Sequence, residues 1–542
     1  MKDQFHEIFK SKGINYFTQD QPMREFLNFF KFEGDSDIEE LGKYVSEELI
    51  EIMDFVDHNG KPELITWNPD GKRIDYVRLS PEHKKALKRL QDFGVVIKSA
   101  SGNIPWMYHF VSGYLISDSG IFCSLTLTAQ TAYALKKYYK GDEKFLEHFL
   151  DRSDPWYGAT FYSETQGGSD LGANITRATE TKNGWVLNGS DKYFASNAGI
   201  ADGAVVTAMD GDKGIRSLVT FFMPAARKSG EPNFTIRRLK NKLGTVAVPT
   251  GEVEFSDSEA YLLGERNKGI YYAMEILTIS RVDDAMAAVG IARKAFWEAY
   301  LFAERRATFG KTINSHPLMR KDITSLEAEL EGAIILSLYA AKLFSDVVEV
   351  EPPYNDSYHY ARFITHLSKN IAAWSSVHVT QYSMEIFGGI GFFEEFPIAK
   401  FHRDALVTSI WEGTSNIQAL EMMETIAKKG VATVFFDDLK RRMERVKDTF
   451  LKEKLETRIK FAEEQFESLV KSGSFERGSK DLLKIFGNVL SLALLSEAGS
   501  ELGSQRLIGI SKIYDIISFE NNRIGSEDLF ENMELVNWMH KV

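Results

Sequence analysis

The spacing of apolar residues changes three times along the chain, and each change predicts a different kind of structure. Over residues 1–155, apolar side chains recur at helical spacing, as in DIEELGKYVSEELIEIMDFV. In the same part, Ser80 and Pro81 have the order of an N-cap followed by a proline in the first helical turn. These features predict an N-terminal helical domain.

Over residues 156–265 the apolar period shortens to two, and turn residues become frequent. The segments that alternate in this way are WVLNGSDKYFASN, GAVVTAMDG, SLVTFFMP, NFTIRRL and GEVEFSD. Asn-Gly, Asp-Gly and other glycine-rich turns separate them, which is typical of short antiparallel strands. This part is predicted to be a central antiparallel β domain.

Long helices return after the predicted strands. RVDDAMAAVGIARKAFWEAYLFAERRATFG predicts a helix that ends with Gly310 as its C-terminal cap. Residues 266–430 are predicted to form a C-terminal helical bundle, and residues 431–542 an additional C-terminal helical domain with an apolar stripe around Leu482–Leu495. That stripe needs a buried partner, and an enlarged oligomer interface is the simplest one. The order of helices, sheet and helices predicts an α+β fold.

Composition limits the classes of protein to which the chain can belong. Its 542 residues exceed one ordinary core, and 44% hydrophobic with 26% charged residues is typical of a globular protein. The net charge of -12 disfavours general nucleic-acid binding. The single cysteine, Cys123, allows no disulfide within the chain, which fits a cytoplasmic location. We expect no signal peptide, because Lys2, Asp3 and Glu7 break its usual order, and no membrane-spanning run of about 18 apolar residues.

The first candidate for chemistry is FYSETQGGSDLGANITRA, which NGSDKYFASNAG follows closely. Gly167, Gly168 and Gly172 let the backbone approach a ligand, and Ser163 and Ser169 add hydroxyl groups. A polar loop between two strands explains the same residues equally well. The segment lacks the G-x-G-x-x-G pattern of dinucleotide-binding folds, so any such cofactor would be held by another architecture.

Three more segments carry candidate chemistry. ERRATFGK ends a long helix with cations, for which an interaction with the helix dipole is the simpler explanation. EIFGGIGFFEEF offers bare backbone beside Phe387. WEGTSN places Glu412 beside Gly413 just before an apolar helix, where an isolated glutamate is usually an exposed helix-start residue. His316 and His402 lack the spacing of metal ligands, so no metal site is expected.

Taken together, these segments resemble the motifs of the acyl-CoA dehydrogenase family, from about Met1 to Thr425. The family pattern T-E-x-x-A/G-G-S-D, W-I-T/S-N, E-R-x-x-F-G, F-G-G-x-G and Y/W-E-G-T occurs here in the same order. It reads S-E-T-Q-G-G-S-D, F-A-S-N, R-R-A-T-F-G, F-G-G-I-G and W-E-G-T. The AidB-like branch, named for an alkylation-response flavoprotein, is the nearer likeness, because it shares the NYF…D…REFL opening, the Q-G-G-S-D variant and an extra C-terminal helical region.

The resemblance implies an FAD-dependent oxidoreductase that dehydrogenates an acyl-CoA-like substrate between its α and β carbons. Glu412 would remove the α-proton while the β-hydride passes to flavin N5, and electrons would leave to an electron-transfer flavoprotein or to oxygen. Burial beside Trp411 is expected to raise the pKa of Glu412 towards working pH. Some relatives carry the base near the position of Ile279 or Ser280, but neither residue is acidic.

Two alternatives stay open at this point. Nitroalkane-oxidising relatives carry aspartate at the position of Glu412, which disfavours that activity here. A DNA-associated flavoprotein with weak or no acyl-CoA dehydrogenase activity would need a basic surface. The C-terminal region has mixed charge instead, so DNA is not the expected partner.

The resemblance also assigns site residues and an oligomer. Ser163 takes the position of a threonine that binds the flavin ring, and Ser196 lies near N5. Arg306, Phe309 and the turn at 387–389 would hold the pyrophosphate and adenosine of a neighbouring subunit's FAD, in a tetramer built as a dimer of dimers. The expected cofactor-binding residues are Ser163, Gly168, Ser169, Phe194, Ser196, Arg306, Thr308, Phe309, Phe387, Gly388, Gly389, Thr414 and Asn416. The expected substrate-binding residues are Arg281, Trp411 and Gly413.

Overall fold

The computed structural model describes residues 9–34, 36–473, 475–520 and 528–540. Lys2, Asp3 and Glu7, on which the expectation about a signal peptide rests, lie outside these residues. The chain forms two compact units. The first unit contains residues 1–50, 110–117 and 284–542, and the second contains residues 51–109 and 118–283. This grouping differs from the four predicted segments, whose boundaries stay predictions.

Helices make up most of the described chain. The α-helices are α1 Gln21–Phe29, α2 Ser36–Tyr44, α3 Ile50–His58, α4 Pro81–Asp92, α5 Ile97–Ala100, α6 Met107–Ile116, α7 Ser119–Tyr138, α8 Lys144–Phe149, α9 Gly269–Arg305, α10 Pro317–Val347, α11 Asp356–Phe387, α12 Pro397–Thr408, α13 Ser415–Lys429, α14 Val431–Arg445, α15 Thr449–Ser472, α16 Phe475–Leu502 and α17 Gln505–Phe519. The strands are β1 Glu63–Trp67, β2 Arg73–Arg78, β3 Gly158–Phe161, β4 Arg177–Thr181, β5 Gly184–Ser196, β6 Gly203–Met209, β7 Leu218–Pro224, β8 Thr235–Leu239, β9 Thr250–Leu262, β10 Ala307–Thr308 and β11 Lys311–Thr312. The predicted α+β class is confirmed.

The second unit is built on a seven-stranded sheet in the order β3-β6-β4-β5-β9-β7, with β8 also on β9. β6 pairs with β7 as well, so the path of strands returns on itself. Most pairs are antiparallel, as predicted, but β3 and β4 each run parallel to β6. Parallel pairing needs a long connection, and the β4–β5 hairpin supplies it between β3 and β6. β6 and β7 are buried along their whole length, which explains their near-continuous apolar sequences.

A hairpin interrupts the predicted N-terminal helical domain. β1 and β2 pair antiparallel around a turn in which Asn68 Oδ1 accepts hydrogen bonds from the backbone N–H groups of Asp70 and Lys72. Gly71 takes a φ of +76°, which glycine adopts without strain. The alternation in ELITW and RIDYV and the Asn-Pro-Asp-Gly turn are the sequence signals for this hairpin. A purely helical N-terminal part was therefore too simple a prediction.

The structure confirms the predicted start of α4 but not the predicted end of α9. Ser80 is the N-cap of α4, and its hydroxyl accepts a hydrogen bond from the His83 N–H at 3.2 Å, as the sequence predicts. The prediction that Gly310 caps α9 is wrong, because α9 ends at Arg305. Phe309 and Gly310 have φ values of +50° and +83° and form the turn between β10 and β11. Two consecutive positive φ values are typical of a tight hairpin turn, and this use of glycine competes with capping.

The apolar stripe of α16 finds its buried partner within the first unit. α16 packs against α1, α10, α11, α13, α14, α15 and α17. A helix that is apolar all round is expected to be buried in this way. By length and composition α16 could cross a membrane, since its mean hydropathy reaches 1.4 over 18 residues, but 89% of that window is buried inside the protein. The stripe therefore needs no oligomer interface to cover it.

Buried ion pairs hold the C-terminal helices to the rest of the first unit. Arg506 of α17 donates hydrogen bonds to Glu331 of α10 at 3.0 Å and to Glu25 of α1 at 2.6 Å. Burial raises the pKa of Glu331, although the Arg506 guanidinium opposes this shift. A buried carboxylate that loses its cation is costly, so Arg506 is a critical contact between α17 and α10.

We therefore expect Arg506→Ala to lower the free energy of unfolding by about 3 kcal/mol or more, because Glu331 stays buried without its cation. Urea unfolding followed by circular dichroism measures the effect. Lys460→Ala is the matched control, since Lys460 and Glu464 form an exposed pair 4.0 Å apart. Its effect should stay within about 0.5 kcal/mol. Equal effects of the two substitutions would contradict the assignment.

Candidate functional site

The glycine-rich segment of the second unit is anchored by a buried ion pair. Glu164 lies at its start, and its Oε1 is 2.9 Å from Lys192 Nζ of β5, with both side chains 1% exposed. Glu164 Oε2 accepts a hydrogen bond from the Ile175 N–H at 2.6 Å. Burial lowers the pKa of Lys192 to about 8, against the opposing charge of Glu164. Glu164 thus ties both ends of the segment 164–175 to β5, a role that the sequence analysis missed.

The tip of this segment presents backbone and hydroxyl groups to solvent. Gly167 has a φ of +126°, and a Cβ atom there would meet nothing within 4 Å. At Gly168, by contrast, a Cβ atom would collide with the Ser163 hydroxyl. Ser169 is exposed beside them. This arrangement suits a polar ligand that needs close approach to the main chain.

The end of β5 lies beside the same segment. The Ser163 carbonyl accepts a hydrogen bond from the Tyr193 N–H at 3.1 Å. Phe194 is 56% exposed, and the Ser196 hydroxyl lies 3.2 Å from Thr250 Oγ1. The Ser163–Tyr193 hydrogen bond thus joins the start of the glycine-rich segment to the end of β5, where Phe194 and Ser196 lie.

Arg281, the predicted substrate contact on α9, is 2% exposed. Asp283 follows it and pairs with His109, with 3.2 Å between Oδ2 and Nε2. His109 Nδ1 lies 2.7 Å from the Val95 carbonyl oxygen. Burial alone would lower the pKa of His109, but the Asp283 carboxylate and the Val95 carbonyl together raise it above its usual value. The His109–Asp283 pair fixes this turn of α9 within the second unit.

In the first unit, the loop Trp411–Glu412–Gly413 joins α12 to α13 in an unusual backbone conformation. Glu412 has a φ of +58° and Gly413 a φ of +98°. A left-handed conformation costs a residue with a side chain roughly 1–2 kcal/mol. Lys369 Nζ donates to the Gly413 carbonyl at 2.9 Å, and Gln418 Nε2 donates to the Glu412 and Gly413 carbonyls at 2.9 and 3.0 Å. Side chains of α11 and α13 thus fix the main chain at Glu412.

The hydrogen bonding continues beneath the loop. The Gln418 side-chain amide donates its N–H groups to the loop carbonyls. Its Oε1 can only accept a hydrogen bond, and His366 Nδ1 lies 2.8 Å from this oxygen. His366 Nδ1 therefore carries a proton. On the far side, His366 Nε2 is 3.6 Å from Glu421, which also accepts a hydrogen bond from Arg362 at 2.6 Å. A polar row thus supports the loop from α11 and α13.

A second carboxyl group lies at the same loop. The Trp411 indole N–H donates to Asp284 Oδ1, and Lys369 Nζ is 3.5 Å from Asp284 Oδ2. Burial raises the pKa of Asp284 to about 7, against Lys369 and Trp411, while the Glu412 charge raises it further. The sequence analysis missed Asp284, Lys369 and Gln418. An acid within the apolar VDDAMAAVG and a lysine within HLSKNIAA were the available signals.

The remaining predicted residues lie at the ends of α9, α11 and the start of α13. Phe309 is 98% exposed at the β10–β11 turn, whereas the Phe387 ring is buried and stacks on Phe302 at 4.5 Å. Gly388 and Gly389 are the exposed part of that turn, with open space at both Cα atoms. Arg306, Thr414 and Asn416 are exposed, and Thr308 is half-buried with its carbonyl 3.1 Å from His316 Nε2.

The structure thus groups the predicted residues in two sets, one on each unit. The second unit carries the glycine-rich segment, the end of β5 and Arg281. The first unit carries the Glu412 loop, the β10–β11 turn and the turn at 388–389. His316 binds the Thr308 carbonyl and His402 Nδ1 lies 2.9 Å from Thr380 Oγ1, so each of the two histidines has a hydrogen-bond partner within the chain.

Comparisons with known proteins cover most of the chain. Residues 8–154 match the model for the adaptive response protein AidB N-terminal domain. Residues 159–258 match that for the acyl-CoA dehydrogenase middle domain, and residues 267–427 that for the acyl-CoA dehydrogenase C-terminal domain. The predicted acyl-CoA dehydrogenase-like fold is thereby confirmed.

Individual relatives agree with these matches. The short-chain specific acyl-CoA dehydrogenase of Megasphaera elsdenii is 32% identical over 56% of this chain and 76% of its own length. The putative acyl-CoA dehydrogenase AidB of Escherichia coli is 28% identical over 68% of this chain and 70% of its own. The crystal structure of Caenorhabditis elegans ACDH-11 in complex with C11-CoA superposes with a TM-score of 0.82 at 23% identity, covering 96% of this chain and 94% of that one. The chain therefore belongs to the acyl-CoA dehydrogenase family, in its AidB-like branch.

Proposed function

We propose that the protein is an FAD-dependent oxidoreductase that dehydrogenates acyl-CoA-like substrates at the α and β carbons, with Glu412 as the base. The observation that carries this proposal is the backbone at Glu412. A glutamate held in a left-handed conformation, with its own and the next carbonyl bound by Gln418 and Lys369, has a strictly defined position. Backbone strain of this kind clusters at active sites and ligand-binding positions.

The residues of the second unit fit a flavin. The Phe194 ring is more than half exposed, and Ser163 and Ser196 offer hydroxyl groups beside it. Gly167 leaves open space for a bulky group near the main chain, and the Ser169 hydroxyl is exposed for a pyrophosphate. When bound, FAD supplies the acceptor for the two electrons that leave the substrate.

Glu412 would do the proton chemistry of this reaction. A thioester α-proton is weakly acidic, so its removal needs a fixed carboxylate within reach and a donor for the charge that develops on the carbonyl oxygen. The Glu412 backbone N–H would serve as one such donor, because its direction is set by the same anchored main chain. Trp411 and Gly413 would border the bound acyl group.

We further propose that the enzyme works as a homotetramer in the cytoplasm and passes electrons to an electron-transfer flavoprotein or to oxygen. Exposed groups support the oligomer, since Arg306, the Phe309 ring and the backbone at Gly388 and Gly389 all lie at the surface of the subunit. They would hold the pyrophosphate and adenosine of a neighbouring subunit's FAD. The net charge of -12 disfavours the DNA-associated alternative.

Glu412→Gln should retain FAD and its yellow colour but reduce the flavin at least about 100-fold more slowly, because the amide cannot take the α-proton. Anaerobic titration with acyl-CoAs of different chain lengths, followed by flavin bleaching, measures this. Glu424→Gln is the control, because Glu424 is an exposed acid on α13 paired with Lys428 at 2.6 Å. Bleaching of Glu412→Gln at the wild-type rate would remove Glu412 from the mechanism.

Phe309→Ala should weaken FAD binding by roughly 10-fold or more, because a buried aromatic contact contributes about 1.5–3 kcal/mol. The dissociation constant for FAD, measured by fluorescence, tests this. Leu318→Ala serves as the control, since Leu318 is also exposed, at 79%, and has no assigned contact. An unchanged FAD affinity in Phe309→Ala would mean that each subunit holds its cofactor without this ring.

A further inference from the structure

Two opposite charges are buried beside the Glu412 loop. Asp284 of α9 is 4% exposed and Lys369 of α11 is 1% exposed. Asp284 Oδ1 accepts the Trp411 indole N–H, whereas Oδ2 is buried, receives no hydrogen bond from a described residue and lies 3.5 Å from Lys369 Nζ. Lys369 in turn donates to the Gly413 carbonyl at 2.9 Å. The pair therefore touches the loop on both sides of Glu412.

A pair of this kind is an unfavourable way to fill an interior. Removing two charges from water costs several kcal/mol per ion, and apolar side chains of similar size are often as stable. Both charges are nevertheless buried at the Glu412 loop, so water screens their effect on that loop only weakly.

The surroundings include Glu412. The charged groups that shift the pKa of Asp284 are Lys369 from α11 and Glu412 from the loop, with the Trp411 indole as the hydrogen-bond donor. On α9 itself, the adjacent Asp283 is already paired with His109. Repulsion between two carboxylates is mutual. The negative charge of Glu412 raises the pKa of Asp284, so a negative charge on Asp284 acts in the same way on Glu412.

We propose that Asp284 and Lys369 set the proton affinity of Glu412 and hold its loop in place. Asp284 is a positioning residue in this scheme, since it and Glu412 titrate as a coupled pair in which a charge on one carboxyl group raises the proton affinity of the other. Lys369 opposes it, so that Glu412 still loses its proton at working pH. The proposal rests on the proposed function only in naming Glu412 as the base. The coupling of the three charges holds whatever the substrate.

The decisive test compares two substitutions that remove opposite charges. The pH dependence of flavin reduction by acyl-CoA has an acid limb that reports ionisation of the base. Asp284→Asn keeps an oxygen acceptor for Trp411 but removes one of two carboxyl groups that titrate as a coupled pair, so the limb should move to lower pH by about one unit. Lys369→Gln should move it to higher pH by a similar amount. Limbs that stay in place, or move in the same direction, overturn the proposal.

The double variant Asp284→Asn/Lys369→Gln guards against poor folding of the single variants, since it leaves no unpaired buried charge. Its acid limb should lie between those of the two single variants. If the pair had a merely structural role, the substitutions would lower the rate of flavin reduction at every pH without moving the acid limb. The wild type, both single variants and the double variant would then share the same limb.

An infrared titration tests the coupling without turnover. The wild-type protein should show a protonated carboxyl band that titrates near pH 7 and is missing from Asp284→Asn. Its midpoint should move to lower pH in Glu412→Gln, because the neighbouring negative charge is gone. If no acyl-CoA reduces the flavin but this shift occurs, the proposed function fails and the coupling stands. If flavin reduction is normal and the midpoint does not shift, the coupling fails alone.

Discussion

The left-handed backbone at Glu412 is the constraint on which the conformation of the Glu412 loop depends. A side chain in this conformation costs roughly 1–2 kcal/mol, which the hydrogen bonds from Lys369 and Gln418 to the two neighbouring carbonyls must offset. Each donor is itself buried, so neither can turn to water as an alternative partner. The backbone conformation of the loop is therefore determined by α11 and α13.

Helical periodicity explains how two helices can supply this support. Arg362, His366 and Lys369 are four and three residues apart on α11, which places them on one face. Gln418 and Glu421 are three apart on α13 and meet that face through hydrogen bonds and ion pairs. The Glu412 loop leads directly into α13, and Gln418 in the first turn of that helix binds the carbonyls of the loop. A set of mutually hydrogen-bonded side chains behind a functional loop keeps the residues of that loop in a fixed position.

Local signals predicted most of the fold, whereas the role of Glu412 rests on ordered motifs and stays a prediction. The strands of the second unit and the Ser80 cap depend on neighbouring residues, so alternation and capping were sufficient to find them. Gly310 misled the prediction because a cap and a tight turn use the same backbone freedom. The sequence did not reveal a role for Asp284 and Lys369, because they are far apart along the chain. Their ion pair forms only where α9 packs against α11.

The titration of Asp284 affects the stability of the fold as well as the electrostatics of the Glu412 loop. Its pKa rises on folding from 3.8 to about 7, so the stability that it contributes is full below about pH 4 and is lost as the pH rises through 7. Above that range Asp284 carries a charge in a poorly hydrated site, and Lys369 is the cation beside it. The same lysine holds the Gly413 carbonyl. In this way the electrostatics and the geometry of the Glu412 loop depend on one side chain.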